Sequence, residues 1–333
     1  MKLDEMMTRF SRLKQMLGEV LETDSYSLEK AMKKNNPEDE AIDMEQLRKD
    51  CWLGIPNTAR PLAWRILCGY SPTIHDLRDR TVKQKREEYW LYVEHYFQLR
   101  TEESYQAMFR QIYIDVPRMC PLHPIFQQSV VRECFERMLF VWAAQFVLEE
   151  DLETFHVSKL SKEQLSTVEA DTFWCVSFLL ENIQDNYTFE QPGIHLKVQD
   201  LKEVISVTDE QLYDHFDKHG VDFLQFSFRW MNNLLMRELP LQATIRLWDT
   251  YLSEKDGFSE FHTYVCAAFL RLWSKRLQSE TDFQGIMILL QNLPTKNWAN
   301  EQICELTADA FSLICDIGTF IVTEESLDYF SYC

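Results

Sequence analysis

FRWMNNLLMRELPLQATIRLWDTYL, residues 228–252, is the stretch whose reading decides the fold. Its apolar side chains recur at steps of three and four, the period of a helix with one buried face. It never alternates apolar with polar as a half-buried strand does. It reads as the end of one helix, 222–236, and the whole of another, 241–252, with Pro240 between them. The same spacing predicts helices at 161–183, 196–205, 208–219, 260–278, 282–291 and 299–313. Upstream, Val131, Cys134, Phe135, Met138, Trp142 and Phe146 predict one across 127–155. A charged helix with an aromatic seam at Tyr89, Tyr92, Val93 and Tyr96 is expected at 80–98. The turn Trp52-Leu-Gly-Ile-Pro56 is followed by Asn57, read as the N-cap of a helix through Leu67. Near the start, Met6, Phe10, Leu13, Leu17, Val20 and Leu21 describe an amphipathic helix, and KKNNPEDE (33–40) breaks it as a linker. From Leu313 onward β-branched residues mix with Asp and Glu, and no helical face is expected. With no internal repeat and no confident strand, the chain reads as an all-α bundle or a two-lobed helical array.

Composition agrees. The 333 residues suffice for two domains or one large one. At 46% apolar and 26% charged they can bury a sizeable core. Only 8 are glycine, too few for the tight hairpins and phosphate-cradling loops of β and dinucleotide folds. Thirty-four Lys and Arg against 53 Asp and Glu leave a net charge of −19. That sign argues against nucleic acid or an anionic membrane as the main partner. Nine cysteines without a C-x-x-C pair point to reduced thiols rather than a disulfide framework or structural zinc. No secretory signal and no membrane-spanning run is read, so a cytoplasmic protein is expected.

Ordinary site chemistry finds little support. His215 and His219 have the four-residue spacing that aims two imidazoles at one metal. Phe216 stands where a metalloprotease helix needs Glu, so a solvated helix face is the expectation. Asn186-Tyr187-Thr188 is a formal glycosylation sequon with no secretory route to use it. No serine has the glycine flanks of a nucleophile elbow.

Three clusters stand out. The first is Trp52-x-Gly54-Ile55-Pro56-x-x-x-Arg60-x-x-x-Trp64, a rigid turn joined to a helix with Arg60 and Trp64 one turn apart. The second is Ile112-x-x-Asp115-x-x-Arg118. The third runs from Trp230 to Pro240 and continues to Arg246-Leu-Trp248-Asp249. In this order they resemble the TBC domain of GTPase-activating proteins for Rab GTPases. FRWMNNLLMRELPL (228–241), DNYTFEQPGI (185–194) and LQNLPT (290–295) are most similar to its member-22 type. The likeness spans roughly residues 45–310.

The resemblance implies an all-helical, two-lobed domain. It lends a partner Rab, in its GTP form, an arginine from I-x-x-D-x-x-R and a glutamine from Y-x-Q-G. Residue by residue, Ile112, Asp115 and Arg118 match the first motif, and Arg118 becomes the implied catalytic finger. Trp52, Gly54, Pro56, Arg60 and Trp64 match the opening signature, and Arg246, Trp248 and Asp249 a later R-x-W-D element. GTP hydrolysis develops negative charge between the β- and γ-phosphates. A guanidinium inserted in trans neutralises it, an effect worth about 10³–10⁵ in rate. Asp115, three residues earlier, is read either as holding the finger's backbone or stem or as a mere surface pair with Arg118, worth about 0–1 kcal/mol.

One departure is plain: Y-x-Q-G is absent. Residues 142–150 read WAAQFVLEE where the family carries that loop, and about twenty residues are missing near 143–149. The expected organisation is an N-terminal helix and linker at 1–44, a shortened TBC domain at 45–312 and a divergent tail at 313–333. The expected function is activation of a Rab in vesicle trafficking, weakened by loss of the glutamine. The chain would be an activator rather than an enzyme itself, with no cofactor of its own, since GTP and Mg²⁺ belong to the partner. Adaptor proteins, and peripheral association with Golgi or endosomal membranes through partners, complete the expectation. The competing reading is a non-catalytic helical scaffold that binds a Rab or an adaptor.

Overall fold

Asp43 opens the first long helix by accepting the backbone N–H groups of Glu45 and Gln46, two donors that a helix start leaves unpaired. A computed structural model describes residues 9, 11–13, 16–17, 41–96, 128–129, 161–188 and 190–321. Among these described residues every regular element is helical, with one isolated bridge, Ala41 to Ile74. None of the helices is long and apolar enough to cross a membrane. The chain divides into two compact units, residues 1–181 and 182–333.

The first unit contains α1 (Met44–Trp52), α2 (Arg60–Leu67), α3 (His75–Tyr96) and α4 (Lys162–Glu181). Of the expected N-terminal apolar face, Met6, Phe10, Val20 and Leu21 lie outside the described residues. Leu13 and Leu17 are buried, Arg12 forks onto Asp50 of α1 at 3.0 and 2.5 Å, and Arg78 donates to the Leu17 carbonyl. α3 and α4 pack together over Tyr70, Val82, Val168 and Cys175. Asn57 is not the N-cap of α2. Residues 57–59 form a turn, the helix starts at Arg60 beside Pro61, and the Asn57 side chain instead accepts from the Arg60 guanidinium. Of the seam on α3, Tyr89 packs on Phe173 of α4, while the side chains of Tyr92 and Tyr96 lie outside the described residues.

The second unit contains α5 (Pro192–Thr208), α6 (Glu210–Lys218), α7 (Phe223–Asn233), α8 (Leu241–Ser253), α9 (His262–Arg271), α10 (Ser274–Ser279), α11 (Phe283–Gln291) and α12 (Asn300–Ile321). α5 packs on α7 and α9, and α9 on α12. A run of edge-on contacts links rings in this unit: Phe223 on Phe216, Phe216 on Phe226, Phe226 on Trp230, Trp230 on Phe269 and Phe269 on Trp298. Such pairs add about 0.5–1.5 kcal/mol each beyond their buried area.

Besides α3, which begins at His75 rather than 80, and α5, which spans Pro192–Thr208 rather than 196–205, three helix limits differ from the sequence expectation for a visible reason. α7 stops at Asn233 rather than 236 because Leu234 and Leu235, both buried, take left-handed φ of 50° and 60°. The helix expected at 260–278 is three pieces. A π-turn (Gly257–Phe261) precedes α9, and the chain breaks at Leu272–Trp273 before α10. The π-turn brings Gly257 so close to the Tyr251 carbonyl that an added Cβ would sit 2.0 Å from it. Third, α12 does not end at Leu313: Ala310 and Leu313 continue the buried face of Ile303 and Leu306, and the helix runs to Ile321. The helix expected at 127–155 falls outside the described residues, apart from 128–129.

His262 is fully buried in this core, with Nδ1 facing the Tyr251 hydroxyl at 2.7 Å and Nε2 facing the Trp230 carbonyl at 3.2 Å. Burial, and secondarily the Lys197 charge, lower its pKa to about 3. The folded state therefore keeps the ring neutral, while the unfolded chain protonates it below the ordinary pKa of about 6.5. Its contribution to stability is complete above pH 6.5 and is lost progressively as pH falls toward 3. Urea unfolding between pH 7.5 and 5.5 should show this as a steeper acid loss in the parent than in His262→Gln. The difference should approach 1.4 kcal/mol per pH unit below the unfolded pKa. Parallel curves would contradict the assignment.

Candidate functional site

The first cluster folds as a clasp. Trp52 closes α1, and Gly54 takes φ of 100°, a conformation open to glycine, while its N–H returns to the Cys51 carbonyl. The Pro56 carbonyl then accepts from the N–H groups of Ala59 and Arg60. The Arg60 guanidinium reaches back to Asn57 Oδ1 at 2.5 Å and the Ile55 carbonyl at 2.6 Å, so the turn is tied by the residue that starts α2. Trp64, one turn on, is buried in the first unit. In this arrangement Arg60 ties the turn to the start of α2.

The third cluster lies in the second unit and is also largely internal. Arg246, Trp248 and Asp249 are all buried on α8. Arg246 donates from Nε to Asn300 Oδ1 at 2.9 Å and from Nη1 to Thr250 Oγ1 at 2.8 Å, and Nη2 approaches Cys304 Sγ, so it fastens α8 to α12. Trp248 stands edge-on to Phe258 at 5.3 Å. Just before α8, the Arg229 guanidinium donates to the buried Glu238 carboxylate at 2.7 Å. Burial raises the Glu238 pKa and the Arg229 charge opposes that rise. Arg237 is exposed beside this pair.

Ile112, Asp115 and Arg118 lie outside the described residues, as does Gln145 of the stretch in which the glutamine motif is missing. His215 and His219 do stack, with ring centroids 4.3 Å apart, but His219 Nδ1 is engaged by the His215 carbonyl at 2.8 Å. Among the described residues no group of His, Cys, Asp and Glu is arranged to hold a metal.

Sequence reasoning passed over Asp171. It sits in mid-α4, 2% exposed, and gathers three side chains. Arg86 of α3 binds it fork to fork, Nε to Oδ1 and Nη2 to Oδ2, each at 2.6 Å. The Tyr70 hydroxyl donates to Oδ1 at 2.5 Å, and Arg65 of α2 lies 3.7 Å from Oδ2. Burial, then the adjacent carboxylate, push the Tyr70 pKa well up, which keeps the phenol protonated as a donor. Burial disfavours the Arg86 charge, but Asp171 outweighs it and the Arg86 pKa is raised. The signal was present: a carboxylate between Ala170 and Thr172, at the head of the apolar run Phe173-Trp174-Cys175, must meet a partner once that face is buried.

An all-helical chain whose tryptophan and arginine signatures serve as internal clasps defines a helical domain of TBC type. The chain belongs to the Rab-GTPase-TBC domain family, whose sequence profile matches residues 57–278. It is 52% identical over 294 residues to human TBC1 domain family member 22B, covering 81% of this chain and 58% of that protein. It is 42% identical to the Schizosaccharomyces pombe GTPase-activating protein gyp1, with the same two coverages. The crystal structure of the Ypt/Rab-GAP domain of Gyp1p superposes with a TM-score of 0.80 at 35% identity, covering 94% of this chain and 99% of that one. The chain thus spans somewhat over half the length of the curated relatives it matches. A Chlamydomonas flagellar RabGAP TBC domain shares the fold, with a TM-score of 0.55 at 20% identity. The member-22 likeness read from the sequence is borne out.

If Arg246 is a clasp between α8 and α12, Arg246→Ala should cost about 2–3 kcal/mol, since its lost bonds are charged and buried. The melting temperature should then fall by roughly 5–10 °C. The exposed Arg237→Ala should leave the melt in place, and equal shifts in the two variants would refute the clasp.

Proposed function

We propose that this chain is a GTPase-activating protein for a Rab GTPase in its GTP form, and that Arg118 is the finger it supplies. The observation that carries the reading is membership of the Rab-GTPase-TBC domain family together with the retained Ile112-x-x-Asp115-x-x-Arg118. The partner brings GTP and Mg²⁺, and Arg118 supplies the guanidinium that meets the charge developing as the bond to the γ-phosphate breaks. Adaptor binding and peripheral recruitment to Golgi or endosomal membranes through partners belong to the same reading.

Activation is weakened because Y-x-Q-G is missing. The match to member 22B supports a shortened chain: its 294 aligned positions take in 81% of these 333 residues, about 270, so about two dozen positions find no residue here. With no glutamine from the activator to orient the attacking water, that task passes to the Rab's own switch glutamine.

The test is single-turnover GTP hydrolysis at saturating protein, after a thermal melt has established that the chain is folded. Stimulation should be present with wild-type Rab and vanish with its switch Gln→Ala. Restoring the missing segment should raise the rate and remove that dependence. Arg118→Ala should abolish stimulation, and Arg118→Lys nearly so, since an ammonium lacks the planar fork. Stimulation unaffected by Arg118→Ala would overturn the finger. Binding of Rab without stimulation would favour the scaffold.

A further inference from the structure

One stretch of the second unit carries charge of the opposite sign to the rest of the chain. Within a net charge of −19, residues 261–300 hold Arg271, Lys275, Arg276 and Lys296 against only two carboxylates, Glu280 and Asp282. Both carboxylates are turned to the start of α11. Asp282 accepts the Gly285 N–H at 2.8 Å, and a Cβ added at Gly285 would stand 2.6 Å from Glu280 Oε2. All four cations are exposed, and no ion pair among the described residues involves them.

The break between α9 and α10 gathers these cations. The chain keeps a helical path through it: the Leu272 N–H returns to the Ala268 carbonyl, that of Trp273 to Leu270 and that of Leu277 to Trp273. Phe269, Leu270, Ser274 and Leu277 are buried, so Arg271, Leu272, Lys275 and Arg276 share the outer side. Leu272 lies among the cations with 46% of its surface open. Beneath them the half-buried Trp273 stacks on Trp298, ring centroids 6.3 Å apart and planes 20° from parallel. Trp298 in turn stands edge-on to Phe269. The Trp298 N–H closes a turn onto the Thr295 carbonyl at 2.8 Å, and Lys296 lies inside that turn. The ring stack thus brings a fourth cation beside the start of α10.

A solvated helix face mixes signs, as Glu45 and Lys49 do on α1. Here one sign surrounds an exposed leucine and a tryptophan pair. Cations alone would suit an acidic protein segment. The added apolar tips suit a boundary between water and hydrocarbon, where Leu and Trp dip below the headgroups while Lys and Arg reach the phosphates. The acidic remainder of the chain opposes approach only weakly, because exposed charges farther off than the Debye length of about 8–10 Å are largely screened. At contact the local sign governs.

We propose that Arg271, Leu272, Lys275, Arg276 and Lys296 form a docking patch for an anionic lipid surface. The chain thereby touches the membrane itself, beyond any recruitment through partners, and this contact is independent of the role given to Arg118.

The test is flotation of the full chain with phosphatidylcholine vesicles, with and without phosphatidylserine. The parent should float with the anionic vesicles, stay behind with the neutral ones and be released by high salt. A basic residue near an anionic surface is worth about fivefold in partitioning, so Lys275→Gln and Arg276→Gln should each weaken binding by about that factor. The double variant should lose more than either, and Leu272→Ala should lose several-fold through its apolar contact. Lys255→Gln makes the same change of net charge before the π-turn that leads into α9, and it should bind as the parent does. Every variant should melt with the parent, since the altered side chains are exposed. Failure of the parent to float with anionic vesicles, equal binding to neutral ones, or binding that survives the double variant would overturn the patch. Capture of poly-glutamate instead of vesicles, with the same sensitivity to Lys275→Gln and Arg276→Gln, would assign it to an acidic protein segment and overturn the lipid reading. A loss of stimulated GTP hydrolysis by the double variant in solution would make the patch a Rab contact, with the same consequence. Failure of Arg118 as the finger would leave the flotation outcome standing on its own.

Discussion

Asp171, 2% exposed, meets fork to fork an Arg86 whose side chain is still 30% open to water, and three elements of the first unit converge on that carboxylate. A carboxylate out of water is tolerable only while its lone pairs are matched, and removing one partner of such a pair costs about 3–5 kcal/mol. The requirement is directional: Arg86 must come from α3, Arg65 from α2 and the Tyr70 hydroxyl from the link between them. Few arrangements of three helices satisfy all of these at once. The charge contributes little as net stabilising energy and much as a constraint on orientation.

Elsewhere the same logic recurs at lower stakes. Arg12 on Asp50 draws the N-terminal residues onto α1, and Arg229 on Glu238 seals the link between α7 and α8. The second unit relies more on rings. Trp230 and Phe269 stand edge-on in the core, where the neutral His262 bridges the Tyr251 hydroxyl and the Trp230 carbonyl. Rings in edge contact tolerate small shifts, whereas the hydrogen-bonded imidazole does not, so it sets the register of α9 against α7 and α8.

For function, the division of labour among the arginines matters. Arg60 and Arg246 match family signatures, yet both donate within the chain, Arg60 to its own turn and the buried Arg246 to a neighbouring helix. A guanidinium so engaged is not free to enter another protein's nucleotide site. Chemistry in trans needs an arginine whose fork is uncommitted until the partner arrives.

The helices were legible in the sequence, because a face repeated every three or four residues over Leu241–Ser253 or Phe283–Gln291 has one way to be buried. The family was legible too, from the order of three short clusters. Local strain was not. Nothing in NNLLM announces two left-handed leucines, which occur because buried neighbours hold Leu234 and Leu235 where their intrinsic preference would not put them. Nor was the partner of Asp171 legible. A buried charge within Glu169-Ala-Asp171-Thr-Phe-Trp174 demands a cation, but Arg86 lies 85 residues away, and only the packing of α3 on α4 selects it. Sequence alone determined the periodicity, the family and the missing glutamine segment, since these reside in residue order. Tertiary structure decided which arginines are committed to the protein's own interior, since pairing between distant residues depends on where helices meet.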